Sequence, residues 1–255
     1  MPAVLRGARA AVVFLTRLPI GGFPYQAAEW AWAPAWFPLV GAMIGLALSA
    51  IVAATHPLGA FVSATLAYAV AAVLTGAFHE DGLADTADAL GGATSRARIF
   101  EILKDSRIGS FGGLALVFSV LLRVGLLARL ADVTTFALVW SQCVARLFPV
   151  WLLVALPYVT PDDTSKSRAV SPVSWRQGGL AAAVAIVVAL GLRGAGLGSV
   201  VDLALTTFLA AITALVAGYR FHRRAGGVTG DFLGATEQLC ECAVLVGLGL
   251  THRPP

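Results

Sequence analysis

The run His79-Glu80-Asp81-Gly82-Leu83-Ala84-Asp85-Thr86-Ala87-Asp88 is the most carboxylate-rich stretch of the sequence. Asp81, Asp85 and Asp88 stand at i, i+4 and i+7, a spacing that puts all three on one face of a helix. Like charges so close repel one another and call for a counter-cation. Oxygen donors without histidine or cysteine partners suit Mg²⁺ or Mn²⁺. A plain acidic helix face is the ordinary alternative, but this run follows directly on an apolar stretch in a chain with only 14 acidic residues. His79, taken alone, is ambiguous.

A second group, Lys104-Asp105-Ser106-Arg107-Ile108-Gly109-Ser110-Phe111-Gly112-Gly113, joins two cations to hydroxyls and to glycines that let backbone N–H groups approach an anion. A third, from Gly226-Gly227-Val228-Thr229-Gly230-Asp231 to Glu237, is a glycine-rich turn opening a helix, a ready anion site. In it Asp231 is placed to ligate a metal or hold an arginine. Carboxylates for a divalent ion, cations for phosphate and glycine-rich turns together point to phosphoryl or nucleotidyl transfer. Neither a Ser-His-Asp arrangement, a Walker loop nor a dinucleotide fingerprint occurs in a suitable context.

The elements that must position these groups are membrane helices. Apolar residues make up 58% of the 255, charged residues 13%, and the mean hydropathy is +0.82. Soluble domains carry about 25% charged residues, so this chain has too little polar surface for a water-soluble globule. The expected fold is all-α: a polytopic integral membrane helix bundle forming one domain over residues 1–255, with an amino-terminal interfacial helix. Segments are predicted at about 36–54, 59–78, 113–130, 134–157, 178–193, 197–219 and 233–250; the fifth is short. Arg6, Arg9 and Arg17 are interleaved with apolar residues, which fits a helix lying on the membrane better than a cleavable signal peptide. Trp30, Trp32 and Trp36 form an interfacial belt.

Loops 79–112, 158–177 and 220–232 fall on the same side as the amino terminus. Of the 18 Lys and Arg, only Arg129, Arg193 and Arg253 fall on the other side, with Arg123 and Arg146 inside segments. The positive-inside rule therefore places the chain in the cell inner (cytoplasmic) membrane with its active face toward the cytoplasm. The formal charge of +4 reflects this topology and gives no nucleic-acid-binding tract. Cys143, Cys240 and Cys242 form neither a disulfide framework nor a zinc site. Intramembrane arginines need partners or a wet cavity, so Arg123 and Arg146 either pair with acids such as Glu237 and Glu241 or face a substrate cleft.

The sequence resembles the cobalamin synthase family, that is, adenosylcobinamide-GDP ribazoletransferase. The resemblance rests on Phe14-Leu15-Thr16-Arg17-Leu18-Pro19, Trp36-Phe37-Pro38-Leu39-Val40-Gly41, the Phe78–Asp88 run, Lys104-Asp105-Ser106-Arg107-Ile108-Gly109-Ser110 and Gly227-Val228-Thr229-Gly230-Asp231. These stretches run from near one end of the chain to near the other. After Pro157-Tyr158, where the family commonly has an arginine and Gly-Leu-Gly, this chain has Val159-Thr160-Pro161-Asp162-Asp163. The resemblance implies that α-ribazole or its 5′-phosphate attacks adenosylcobinamide-GDP with release of GMP and closure of the cobalamin nucleotide loop. On that reading Mg²⁺ is the cofactor and Asp81, Asp85, Asp88 and Asp231 its ligands. Glu80 and Asp81 serve as base or ligand, Lys104 and Arg107 hold phosphate, and Ser106, Ser110, Thr229 and Arg146 contact substrate. The lipid bilayer is an expected partner, and the helix-rich surface is compatible with a homo-oligomer.

Two rival readings differ in class. CDP-alcohol phosphotransferases also use clustered aspartates and a divalent cation, but their pattern begins Asp-Gly-x-x-Ala-Arg, and here Asp85 occupies the arginine position. An ion-coupled transporter would gather its charges at the midplane of inverted repeats, whereas these lie toward one face and no repeat is apparent.

Overall fold

The computed structural model describes residues 2–22, 24–159 and 173–252. The departure at Thr160-Pro161-Asp162-Asp163 lies outside the described residues, as do Lys166, Arg168 and Arg253 of the charge count. The helices are α1 (Ala3–Leu15), α2 (Ala27–Trp32), α3 (Phe37–Thr55), α4 (Ala60–Thr75), α5 (Phe78–Gly92), α6 (Arg96–Ile102), α7 (Ser110–Arg129), α8 (Thr134–Ala155), α9 (Trp175–Gly194), α10 (Val200–Ala225) and α11 (Gly230–Thr251).

Six stretches are long and apolar enough to cross a membrane: Ala27–Leu58, Ser110–Arg129, Ala131–Ala155, Trp175–Gly194, Val200–Ala225 and Gly230–Thr251. Large apolar side chains such as Val73, Phe118, Leu121, Val187, Phe208 and Leu215 point outward, as they must where lipid replaces water. The stretch containing α8 is 83% buried and α11 67%, against about a third or less for α7, α9 and α10. So α8 and α11 form the axis, and the other three face lipid.

The expected crossing at 59–78 is broken. Helix α4 ends at Thr75, Gly76 and Ala77 both take positive φ (74° and 56°), and α5 leaves at 90°. The Ala77 N–H donates back to the Ala72 carbonyl at 2.7 Å and closes the end of α4. A left-handed non-glycine residue costs about 1–2 kcal/mol, and Ala77 bears that cost at the corner that turns the aspartate helix across the bundle. Arg17 secures the corner from outside: its N–H donates to Leu74 O at 2.8 Å, and any Cβ on Gly76 would strike its side chain.

Two further boundaries differ from expectation. Helix α9 has 20 residues, about 30 Å at 1.5 Å per residue, so the fifth segment is of full length. Helix α10 continues to Ala225, which makes Arg220, Arg223 and Arg224 its last turns instead of a loop. Basic residues there complement the helix dipole, and Arg224 donates to Ala93 O at 2.7 Å. The amino-terminal helix is docked as well as amphipathic. Arg6 pairs with the buried Glu29 at 2.9 Å, and Trp36 Nε1 donates to Val4 O at 2.8 Å.

Close backbone approach lets the axis form. A Cβ on Gly41 would strike the Gln142 carbonyl, and one on Gly45 would lie 2.6 Å from Val139 Cα, so α3 lies directly on α8. Inside the bundle a polar network joins four helices. Arg146 pairs with Glu237 at 2.8 Å and donates to Gln142 Oε1 at 2.6 Å; Gln142 donates to Glu241 at 2.6 Å; Arg123 pairs with Glu241 at 3.2 Å. Arg123 also lies over the Tyr68 ring, 4.9 Å from its centroid.

Removing one member of such a network leaves a buried charge unanswered, which typically costs about 3–5 kcal/mol. Arg123→Leu should therefore lower the thermal midpoint in detergent sharply. The double variant Arg123→Leu/Glu241→Leu should recover part of the loss, as a double-mutant cycle would register.

Candidate active site

The site is built on α5, whose first turn carries Glu80 and Asp81. A Cβ on Gly82 would stand 2.8 Å from the Asp231 carbonyl and 3.2 Å from Gly234 Cα. Only glycine permits α5 to lie this close to the start of α11, and that contact brings Asp231 up to the face of Asp81 and Asp85. Helix α11 is capped by Thr229, whose Oγ accepts from the Phe232 N–H at 3.2 Å. Thr229 is 4% exposed. A substrate contact was expected of it; the cap occupies it instead.

Asp88 also has other work than the expected metal ligation. Its Oδ2 accepts from Gly109 N–H at 2.7 Å and its Oδ1 from Gly112 N–H at 2.9 Å. The carboxylate thus satisfies orphan N–H groups at the amino end of α7 and anchors the Lys104–Ser110 loop to α5. Lys104, Ser106, Arg107 and Ser110 are exposed along that loop. Arg107 pairs with Asp105 at 2.7 Å, and its hydrogen bonds hold the Asp105 carboxyl down to about 2. An ion pair this exposed contributes little stability, so the guanidinium is free to exchange its partner for a phosphate. Arg98, which the sequence did not single out, joins Arg107 around an open recess of about 890 Å³ that reaches Asp88 and Gly109.

Glu80 turns away from the aspartate face into the bundle. Its Oε1 receives Arg123 at 3.5 Å and Gln238 Nε2 at 3.3 Å, so the residue expected as base or ligand couples the site to the buried network. Arg146 is 3% exposed and committed to Gln142 and Glu237. Gln142 and Gln238 were also missed from sequence; the signal was an amide inside an apolar segment, which needs a partner there.

Asp81 is exposed, and Asp85 and Asp231 are partly buried. Burial pushes the Asp85 carboxyl up to about 7, with Asp81, Asp231 and Asp88 adding to the rise. Among the described residues, no group of three or more His, Cys, Asp or Glu side chains is arranged to hold a metal ion by itself. Mg²⁺ in phosphoryl-transfer sites usually takes one or two carboxylates, with waters and substrate phosphates completing its shell. The Asp81–Asp85–Asp231 face, all oxygen donors with mutual repulsion to relieve, fits that mode and not an all-protein cage.

The chain matches the family model described as cobalamin-5-phosphate synthase over residues 7–249. Among curated proteins it is similar to adenosylcobinamide-GDP ribazoletransferases. That of Azorhizobium caulinodans is 42% identical, with 98% of each chain covered. Those of Leptothrix cholodnii (39%, 97% of each chain) and a Polaromonas species (35%, covering 94% of this chain and 95% of the other) are also similar. No solved structure matches the chain.

The raised Asp85 carboxyl fixes the sign of a pH effect. The folded state holds a proton there that the unfolded chain, with its ordinary value of 3.8, releases earlier. The penalty is absent below about pH 4, grows as pH rises and is complete above about pH 7. In chelator, the thermal midpoint of the protein should fall between about pH 5 and pH 7.5, and Asp85→Asn should flatten that fall.

Proposed function

The chain belongs to the cobalamin-5-phosphate synthase family, and from that premise we propose that it joins adenosylcobinamide-GDP to α-ribazole or its 5′-phosphate and releases GMP. The observation that carries the reading is the face of Asp81, Asp85 and Asp231, flanked by the anchored Lys104–Ser110 loop and the amino ends of α7 and α11.

The acceptor hydroxyl oxygen forms a bond to the cobinamide-proximal phosphorus, and the bond from that phosphorus to the oxygen of GMP breaks. The hydroxyl proton passes to Asp81 or to water, and GMP leaves as the anion. Bound Mg²⁺ supplies neutralisation of the diphosphate and of charge developing on the leaving group. Asp81, Asp85 and Asp231 would hold it. Arg107, Arg98 and Lys104 draw the diphosphate into the recess beside Asp88. The amino end of α11 presents its positive dipole end beside the carboxylate face, while that of α7 is answered by Asp88. Asp88 keeps the loop seated on α5, so its contribution is positional.

The reaction face belongs to the cytoplasm and the bilayer to the inner membrane. This assignment rests on the basic residues of loops and helix ends on that side, among them Arg96, Arg98, Lys104, Arg107 and the Arg220–Arg224 turns.

Purified protein in detergent, given adenosylcobinamide-GDP, α-ribazole and Mg²⁺, should release GMP in step with complete cobalamin, and chelator should stop both. Well-folded protein that releases no GMP would overturn the assignment. Asp85→Asn should abolish turnover while leaving a folded protein; substantial residual activity would remove Asp85 from the metal site. Arg107→Gln should raise the KM for adenosylcobinamide-GDP about tenfold, the size of one lost charge-assisted hydrogen bond.

A further inference from the structure

On the reverse of α5 lies an apolar groove of about 590 Å³, within the range of about 300–1,000 Å³ that ligand sites occupy. Leu83 and Leu90 of α5, Ala115 of α7, Ile212 and Val216 of α10, and Leu239 of α11 line it. At 3.6 residues per turn, Leu83, Ala87 and Leu90 fall on the side of α5 opposite Asp81, Asp85 and Asp88. The groove is therefore separate from the carboxylate face. It exists because α7 and α10, both lipid-facing, scarcely meet, and α5 and α11 supply the rest of its wall. Ile212, Val216 and Leu239 are exposed along it, so it opens toward lipid.

The polar end of the groove supplies the second observation. Arg220 forms its rim, is exposed, and has no hydrogen bond or ion pair among the described residues. Its basic neighbours are engaged: Arg224 donates to Ala93 O at 2.7 Å, and Arg223 lies over the Tyr219 ring, 5.9 Å from its centroid. Tyr219 is exposed, and a tyrosine beside arginines at a helix end marks the level of the lipid headgroups. From Arg220 back to Ile212 the groove follows α10 for about 12 Å, against about 15 Å for half of the hydrocarbon layer. It runs one leaflet deep, with a cation at the headgroup end.

These two features select one occupant. A membrane helix from a second copy would cross both leaflets, and this groove stops near the middle. A free phosphate would engage Arg220 and leave the apolar length empty. We propose that the groove holds one acyl chain of an anionic phospholipid, with the phosphate on the Arg220 guanidinium and the chain lying between α7 and α10. Lipid tails are as apolar as the groove wall, so the chain gains little hydrophobic energy on entering. Preference among lipids therefore comes from the charge at Arg220, where anion and guanidinium meet beside apolar surface. A chain in this place fills the space behind α5 and supports the helix that carries Asp81 and Asp85.

The probes are phosphatidylglycerol and phosphatidylcholine with the same acyl chains, supplied in equal amounts to full-length protein in detergent. Native mass spectrometry reads which lipid stays bound. The unaltered protein should retain one phosphatidylglycerol, favoured about fivefold over phosphatidylcholine, the attraction of one basic residue for an anionic headgroup. Arg220→Gln should erase that preference, Arg220→Lys should keep it, and Arg223→Gln should leave it unchanged. Val216→Trp and Ala115→Phe, which fill the groove from α10 and from α7, should each remove the bound lipid from a protein that remains folded. Equal retention of the two lipids by the unaltered protein would overturn the inference. So would an equal loss with Arg223→Gln and Arg220→Gln, the mark of a general attraction to the basic helix end, or full retention in both groove-filling variants. Self-association lost in those variants, with no lipid held by the unaltered protein, would give the groove to a second copy instead. Each of these measurements reads binding without turnover, so the lipid site and the proposed reaction stand or fall separately.

Discussion

Charge placed inside an apolar bundle must be answered where it stands, and this requirement organises the protein. Arg123 and Arg146 lie on α7 and α8, where lipid surrounds the bundle and no bulk water is at hand. Glu237 and Glu241, one turn apart on α11, answer them, and Gln142 and Gln238 bridge the remaining gaps. Hydrogen-bonding geometry leaves these helices few other ways to pack. That explains why α8 and α11, which carry the network's centre, are the most buried. The glycines of α3 then bring a third helix onto the same axis.

The network also reaches the chemistry. Glu80 faces inward to Arg123 and Gln238, while the next residue, Asp81, faces out. One helical turn of α5 therefore belongs to two environments, and the aspartate face is oriented by what holds the bundle together. The opposite end of α5 is fixed by Asp88 through the amino end of α7. A carboxylate helix pinned at both ends presents Asp81 and Asp85 in a fixed place, as electrostatic catalysis requires.

Much of this was legible in the residues. Hydropathy located the apolar segments, and the i, i+4, i+7 spacing put the aspartates on a helix face. The pairing of Arg123 with an acid was open to the simple argument that an intramembrane cation needs one. Other features were not legible because they depend on partners distant in sequence. Asp88 looked like its neighbours until Gly109 and Gly112 were seen to claim both its oxygens. Hydropathy continued across Gly76 and Ala77 and hid the corner between α4 and α5, since a backbone torsion leaves no trace in composition. The end of α10 was misplaced because charge ends an apolar window while helical hydrogen bonds continue past it. Thr229, by contrast, carried a recognisable capping signal, a threonine just ahead of a helix that begins Gly230-Asp231.

The corner at Ala77 has a consequence for the membrane itself. Helix α4 has 16 residues before the chain turns, about 24 Å of rise against a hydrocarbon layer of about 30 Å. A span that short is accommodated by thinning of the bilayer around it, by snorkelling of its flanking residues or by association with another chain. Helix α5 leaves α4 at 90°, so a bilayer that thinned around α4 would draw the carboxylate face toward the depth of the lipid headgroups. An amphiphilic substrate moving in the plane of the membrane would meet the site sideways. Lipid thickness would then set how deeply the site is sunk, independently of any residue that forms it.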